Sequence, residues 1–248
     1  MLLYFVLITL ALTLIIAARY IVLSGLAHWL LWGRGGERLN ARRLNRERPM
    51  RAAIREEVRL SLIASAIHAP FAAAALMAWW RYGETQIYTN VSDYGWPYLV
   101  FSLFAYLAIQ DAYYYWAHRA MHHPRAFRVM HAGHHRARHP TPFSSFAFDP
   151  AEALVTAWLL PALVFVIPIH IGALLALVTI MTLASILNHS GWEVMPRRFL
   201  EGPIGRHLIT ATHHSHHHIR FNANYGLYFR FWDRLMGTDA WPSRTERR

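Results

Sequence analysis

The stretch Ala117–His139, AHRAMHHPRAFRVMHAGHHRARH, decides how the rest of the chain is read. It carries His118, His122, His123, His131, His134, His135 and His139, and it follows directly on an apolar segment. Neutral imidazole offers a metal one lone pair while its other nitrogen is held by a neighbouring acceptor, which makes histidine the commonest metal ligand. On a helix, positions i, i+3 and i+4 share one face. His118 and His122 form an i, i+4 pair, and His131, His134 and His135 an i, i+3, i+4 set. The block His213–His218, HHSHHH, repeats that spacing with His214, His217 and His218. Two blocks of one spacing, remote in sequence, are expected to form opposite walls of one metal site.

The residues around these blocks place them beside a membrane. Of 248 residues 55% are hydrophobic and 16% charged, and long apolar runs point to an integral membrane protein. The absence of cysteine excludes disulfides, thiolate metal sites, iron–sulfur clusters and cysteine nucleophiles. The formal charge of +11 is no sign of nucleic acid, because much of the excess lies in one arginine-rich stretch between apolar segments. That is where the positive-inside rule puts it.

Met1 to Trp32 reads as a retained transmembrane helix, lacking the basic start and small-residue cleavage site of a signal peptide. The arginine-rich segment 33–59 is expected on the cytoplasmic membrane surface. Leu60 to Trp80 returns across the bilayer, Arg81 to Gly95 connects on the far side, and Trp96 to Trp116 crosses back. The long apolar stretch 151–187, divided by Pro161, Pro168 and Gly172, suits a hairpin of two helices with His170 near its turn and His189 at its exit. Counting crossings brings His118–His139, His189 and His213–His218 to the arginine-rich, cytoplasmic face. The expected fold is an all-α integral membrane protein with four or five hydrophobic helices and a cytoplasmic histidine-rich helical cap. Residues 1–110 would anchor it, and 111–248, including the 151–187 hairpin, would carry the metal site.

Nine histidines stand in ordered spacing: His118, His122, His131, His134, His135, His189, His214, His217 and His218. A structural zinc takes about four ligands, so this set serves two ions with open positions left. Zinc is a possible substitute, but a nitrogen-rich open site beside a bilayer suits iron and oxygen activation. The plain alternative for His213–His218 is a solvated surface tract, which the repeated spacing argues against. His28, His68 and His170 read as packing residues, His139 and His216 fall outside the spacing, and His123 and His213 adjoin ligand positions. Asp111, Glu152 and Asp233 are candidates for orienting imidazoles. A membrane zinc transporter or sensor would instead place ionisable ligands within the spans.

The chain resembles the membrane-bound fatty acid hydroxylase/sterol desaturase superfamily from about Asp111 to Thr238. The resemblance rests on Asp111 through YYYWAHRAMHH to His123, HAGHH at His131–His135, NHSGWEVMP at Asn188–Pro196, HHSHHH, and NYGLYFRFWDRLMGT at Asn224–Thr238. It implies an O2-dependent non-haem enzyme with two iron ions, bound by the nine histidines on the cytosolic side. The chemistry would be at a C–H bond of a lipid or sterol-like substrate, with hydroxylation favoured over desaturation. Electrons would come from an external donor, since no flavin or nicotinamide fingerprint is visible. Two positions depart from the family pattern: Asp149 stands where many relatives carry the histidine of His-Pro-x-Glu, ahead of Glu152, and His216 is an extra histidine. Alanine- and arginine-rich usage favours a bacterial inner membrane, with the endoplasmic reticulum the alternative for a eukaryotic source. Nothing in the pattern selects an oligomeric state.

Overall fold

The structure, a computed structural model, describes residues 1–34, 40–44 and 50–241. Arg38, Arg46 and Arg48 of the arginine-rich segment lie outside the described residues. Three long helices come first: α1 (Leu2–His28), α2 (Arg51–Met77) and α3 (Gly95–Met121), each of 27 residues. At 1.5 Å per residue each runs about 40 Å, more than a hydrocarbon core of about 30 Å requires. The hairpin follows as α5 (Pro150–Ala157) and α6 (Leu159–Leu163) going out and α7 (Ile171–Asn188) coming back. Short helices complete the cap: α4 (Pro124–Met130), α8 (Arg197–Leu200), α9 (Ala211–Arg220) and α10 (Phe231–Leu235).

By length and composition, three described helical stretches are able to cross a membrane: Leu2–Gly33, Arg51–Tyr82 and Ile171–Asn188. This is fewer than the four or five expected from sequence. The helix α3 is long enough, but its second half carries Gln110, Asp111 and three tyrosines, and the outgoing limb of the hairpin, Pro150–Leu163, is apolar but short. The outer face of α1 exposes Leu3, Leu7, Leu10, Leu14 and Val22, as a helix bathed in lipid does. Its partner α2 instead buries Ala64, Ala69 and Ala73 completely, and these small side chains let neighbouring helices approach closely.

The helices run end to end in the order that the crossings predict. At one end the Tyr82 hydroxyl meets Met1 Sδ at 3.2 Å. There β1 (Ile87–Tyr88) pairs in parallel with β2 (Ile169–His170), Ile87 opposite Ile169. The start of α1, the end of α2, the start of α3 and the turn of the hairpin therefore share that end. A core of Ala75, Tyr106, Leu107, Val164, Ile169, Ala173 and Leu177 fills it, with Tyr106 donating to the Ile167 carbonyl at 2.8 Å. At the other end the Tyr20 hydroxyl donates to Phe143 O at 2.7 Å, and Thr141 Oγ1 donates to buried Glu57 at 2.6 Å. The carboxyl ends of α3 and α7 arrive at this second end, carrying His118 and His189.

One local expectation is corrected. His131, His134 and His135 do not share a helix: α4 stops at Met130, residues 131–133 turn, and His134–Arg136 form a single 3-10 turn. The break is set by Gly133, whose N–H donates to Asp149 Oδ2 at 2.6 Å. A Cβ on residue 133 would collide with the Asp149 carboxylate. We expect Gly133→Ala to cost about 1–3 kcal/mol, the usual range for overpacking. Adding Asp149→Ala should recover part of that loss in unfolding experiments, and a double variant no better than the single one would contradict the clash.

Candidate metal centre

Each ring reaches the centre by its own local route. The last turns of α3 present His118 and His122 one above the other, the i, i+4 geometry that sequence anticipates. Residue 189 caps α7, its Nδ1 donating to the Ser185 carbonyl at 2.8 Å. On α9 a capping box, in which Thr210 and His213 satisfy each other's ends, starts the helix so that His214, His217 and His218 face inward. The opening of α9 is tied down further by Glu193, which accepts from Thr212 Oγ1 at 2.7 Å and Thr212 N at 3.1 Å.

These side chains gather into two groups able to hold a metal ion: His118, His122, His131, His135 and His217 in one, and His134, His189, His214 and His218 in the other. They are the nine residues that the spacing singles out. The division between groups is not the one expected. Each HxxHH block serves both: His131 and His135 join the first group while His134 joins the second, and His217 joins the first while His214 and His218 join the second. The blocks interlock rather than face each other as two walls.

The hydrogen bonds fix which nitrogen faces inward. His118 Nδ1 lies 2.9 Å from Tyr225 O, His217 Nδ1 2.7 Å from Ala223 O, and His134 Nδ1 3.3 Å from Ala147 O. A carbonyl only accepts, so each of these Nδ1 atoms carries the proton and each Nε2 keeps its lone pair. The Nε2 atoms then converge: His118 and His131 at 2.9 Å, His135 and His217 at 3.1 Å, His134 and His189 at 3.4 Å, His189 and His214 at 2.8 Å, His214 and His218 at 3.1 Å. Lone pairs aimed at each other repel unless a cation lies between them. Metal–imidazole bonds of about 2.0–2.1 Å separate adjacent ligand nitrogens by about 2.9 Å at a right angle and about 3.4 Å at the tetrahedral angle. The donor set thus fits metal ions in both groups, and His122 Nε2, buried without a hydrogen-bond partner, has the same need.

Burial first, then mutual repulsion among imidazoles, holds His131, His134, His135, His214, His217 and His218 well below the usual histidine pKa. Burial and neighbouring His118 bring His122 down to about 3. All are therefore neutral near neutral pH, the form that binds metal. Since the folded values lie below the unfolded value of about 6.5, the unfolded chain binds protons first as pH falls. The metal-free protein should accordingly lose stability as pH drops from about 7 to about 5. A flat unfolding midpoint over that range would contradict the buried neutral rings.

The remaining candidates lie outside both groups. His123 caps α4, accepting from Arg125 N, and His213 belongs to the α9 capping box and packs on Trp241. His139 is exposed. The carboxylate of Asp149 is taken by Gly133, as above. Glu152 is fully buried with Oε2 2.8 Å from His131 Nδ1, the orienting position that sequence allows for it. Asp111 touches no ring. Its Oδ1 accepts from the backbone N–H of Leu227, Tyr228 and Phe229 at 3.2, 2.7 and 3.0 Å. Asp233 accepts from Tyr225 N and Gly226 N, each at 2.8 Å, and Asn224, at φ 59°, is tied on both sides to Ala240. The Asn224–Thr238 loop is thereby held so that the carbonyls of Ala223 and Tyr225 reach His217 and His118. Carbonyl roles leave no side-chain signal, so sequence reasoning missed them. The two buried aspartates and the Asn-Tyr-Gly turn were their only trace.

A family model described as fatty acid hydroxylase matches residues 103–238. The chain is similar to lathosterol oxidase of Rattus norvegicus, 33% identical over 169 residues, covering 66% of this chain and 54% of that protein. A Delta(7)-sterol 5(6)-desaturase of Gibberella zeae is 32% identical over 160 residues, covering 64% and 48%. Another from Aspergillus fumigatus is 32% identical over 212 residues, covering 76% and 63%. The chain spans about half to three-fifths of the length of these relatives. No solved structure matches it. Since the matched segment carries all nine clustered histidines and both loop-holding aspartates, the chain belongs to the fatty acid hydroxylase family, within the fatty acid hydroxylase/sterol desaturase superfamily.

Proposed function

We propose that this protein is an integral membrane oxidoreductase that binds two iron ions through its nine clustered histidines and uses O2 to oxidise a C–H bond of a sterol-like or other lipid substrate. The observation that carries the reading is the pair of buried, neutral imidazole groups with converging Nε2 atoms at one end of membrane-length helices. All nine clustered histidines fall between residues 118 and 218, which supports reading 111–248 as the metal domain and 1–110 as its anchor. Iron in such a site activates O2 and supplies an oxidant for unactivated C–H bonds. The chain's own part is positional. Backbone carbonyls hold the tautomers of His118, His134, His189 and His217, and Phe127, Phe148, Phe221 and Tyr225 pack against the imidazoles, excluding bulk water from the reacting region.

The membrane-length helices that lead to the histidine groups support a hydrocarbon substrate arriving from the lipid phase. The cap is assigned to the cytoplasmic face through the arginines beside it, and electrons come from an external donor there. The residue pattern favours hydroxylation. Desaturation is the second reading, because the relatives include sterol desaturases. Zinc transport is disfavoured: the clustered ligands gather at one end of the bundle instead of forming a path along it.

Lipid profiling of cells with and without the protein tests the reading. Gain of one oxygen in a sterol-like lipid marks hydroxylation, and loss of two hydrogens marks desaturation. An unchanged lipid profile with O2 and reductant present would sink both.

A further inference from the structure

Among the rings of the two groups, His131 is set apart by what holds its outer nitrogen. His118, His217, His134 and His189 give Nδ1 to neutral carbonyls. His131 Nδ1 faces the Glu152 carboxylate at 2.8 Å, with both side chains at 0% exposure. Neither Glu152 oxygen nor His131 Nδ1 makes an aligned hydrogen bond, so their 2.8 Å approach is a charge–dipole contact, and the Asp149 backbone N–H is the other polar group beside the carboxyl. A buried carboxylate without full compensation is costly in a low-dielectric interior. A cation on the far side of the His131 ring relieves that cost. With an ion bound at Nε2, the His131 Nδ1–H dipole toward the carboxylate would be strengthened, and the carboxylate would in turn make Nε2 the more basic ligand.

We infer that Glu152 is a positioning residue that makes the two metal sites unequal, fastening the ion of the five-histidine group through His131 more tightly than that of the four-histidine group. The asymmetry has two sources in the chain. The first group has one more imidazole, and it alone has an anionic group against a ligand's outer nitrogen among the described residues. Where the four-histidine site relies on dipoles, the other adds a full negative charge that offsets part of the charge brought by the ion. The inference rests on the two-iron reading above and deepens it.

Metal release to a chelator, followed by metal analysis of the purified, iron-loaded protein, tests the idea. The unaltered protein should release its ions in two steps, a fast one from the four-histidine group and a slow one from the five-histidine group. Glu152→Gln keeps the size of the side chain and removes its charge. It should speed the slow step by about 10–100-fold, the range for partners of metal-bound histidine, and leave the fast step unchanged. Mössbauer spectra should show one of the two iron signals altered and the other retained, a split that general loosening of the fold would not give. His214→Ala, which strips the four-histidine group, should leave a single slow-releasing ion that Glu152→Gln again speeds. Glu57→Gln, a change in a buried carboxylate held by Thr141 and away from the rings, should leave both steps as they were. An unchanged slow step, or equal acceleration of both, overturns the role of Glu152. Fewer than two ions in the unaltered protein overturns the two-iron reading itself.

Discussion

His214→Ala is expected to bring bound metal down from two ions to one per chain and turnover down to background. The His214 Nε2 atom lies 2.8 Å from that of His189 and 3.1 Å from that of His218, so it is one of the two inner nitrogens of the four-histidine group. Removing it leaves three rings, one of which, His134, is 3.4 Å from only one neighbour. Partners one bond removed from a metal cost about 10–100-fold when changed, so loss of a direct ligand should cost more than about a hundredfold in rate. The α9 helix should survive, because Thr210, His213 and Glu193 start it independently of residue 214. Wild-type turnover with two ions retained would remove His214 from the site.

Asp111→Ala should cost about 3–5 kcal/mol of stability, more than any surface change in the chain. Three backbone N–H groups share its Oδ1, and a buried donor left unmade costs about 1–3 kcal/mol. Alanine offers no replacement acceptor, and residue 111 is only 2% exposed, which keeps water from taking over. The damage should spread to the metal. Freed from Asp111, the Leu227–Phe229 segment would loosen the loop that carries the Tyr225 and Ala223 carbonyls, and His118 and His217 would lose their fixed tautomers. Weaker iron retention together with a lower unfolding midpoint is the expected result. A stable variant with full metal content would mean that the loop is held by Asp233 and Asn224 alone.

These two residues also mark what the chain discloses before it is folded. His214 was legible because ligand spacing on a helix is a one-dimensional pattern, and α9 keeps that pattern in space. Crossing parity likewise brought His118, His189 and His214 to one end, since apolar runs of membrane length leave the chain few alternatives. The block at His131–His135 reads the same in sequence, yet the Gly133–Asp149 pairing breaks its helix and sends His134 to a different group from His131 and His135. No periodicity records a bond between residues sixteen positions apart. The sequence offers Asp111 as a candidate for orienting imidazoles, but its partners are backbone amides, which every residue possesses and none advertises. The departure from the family pattern at Asp149 acquires a reason in the same way, as the acceptor that shapes the first histidine turn.

The central claim is that two ions sit between imidazoles drawn from α3, the turn after α4, the end of α7 and α9. Metal analysis of the purified protein, expressed in iron-supplemented medium, tests it most directly. About two irons per chain, falling to about one in His214→Ala, is the predicted result. Protein that is folded, membrane-inserted and free of bound metal would contradict it.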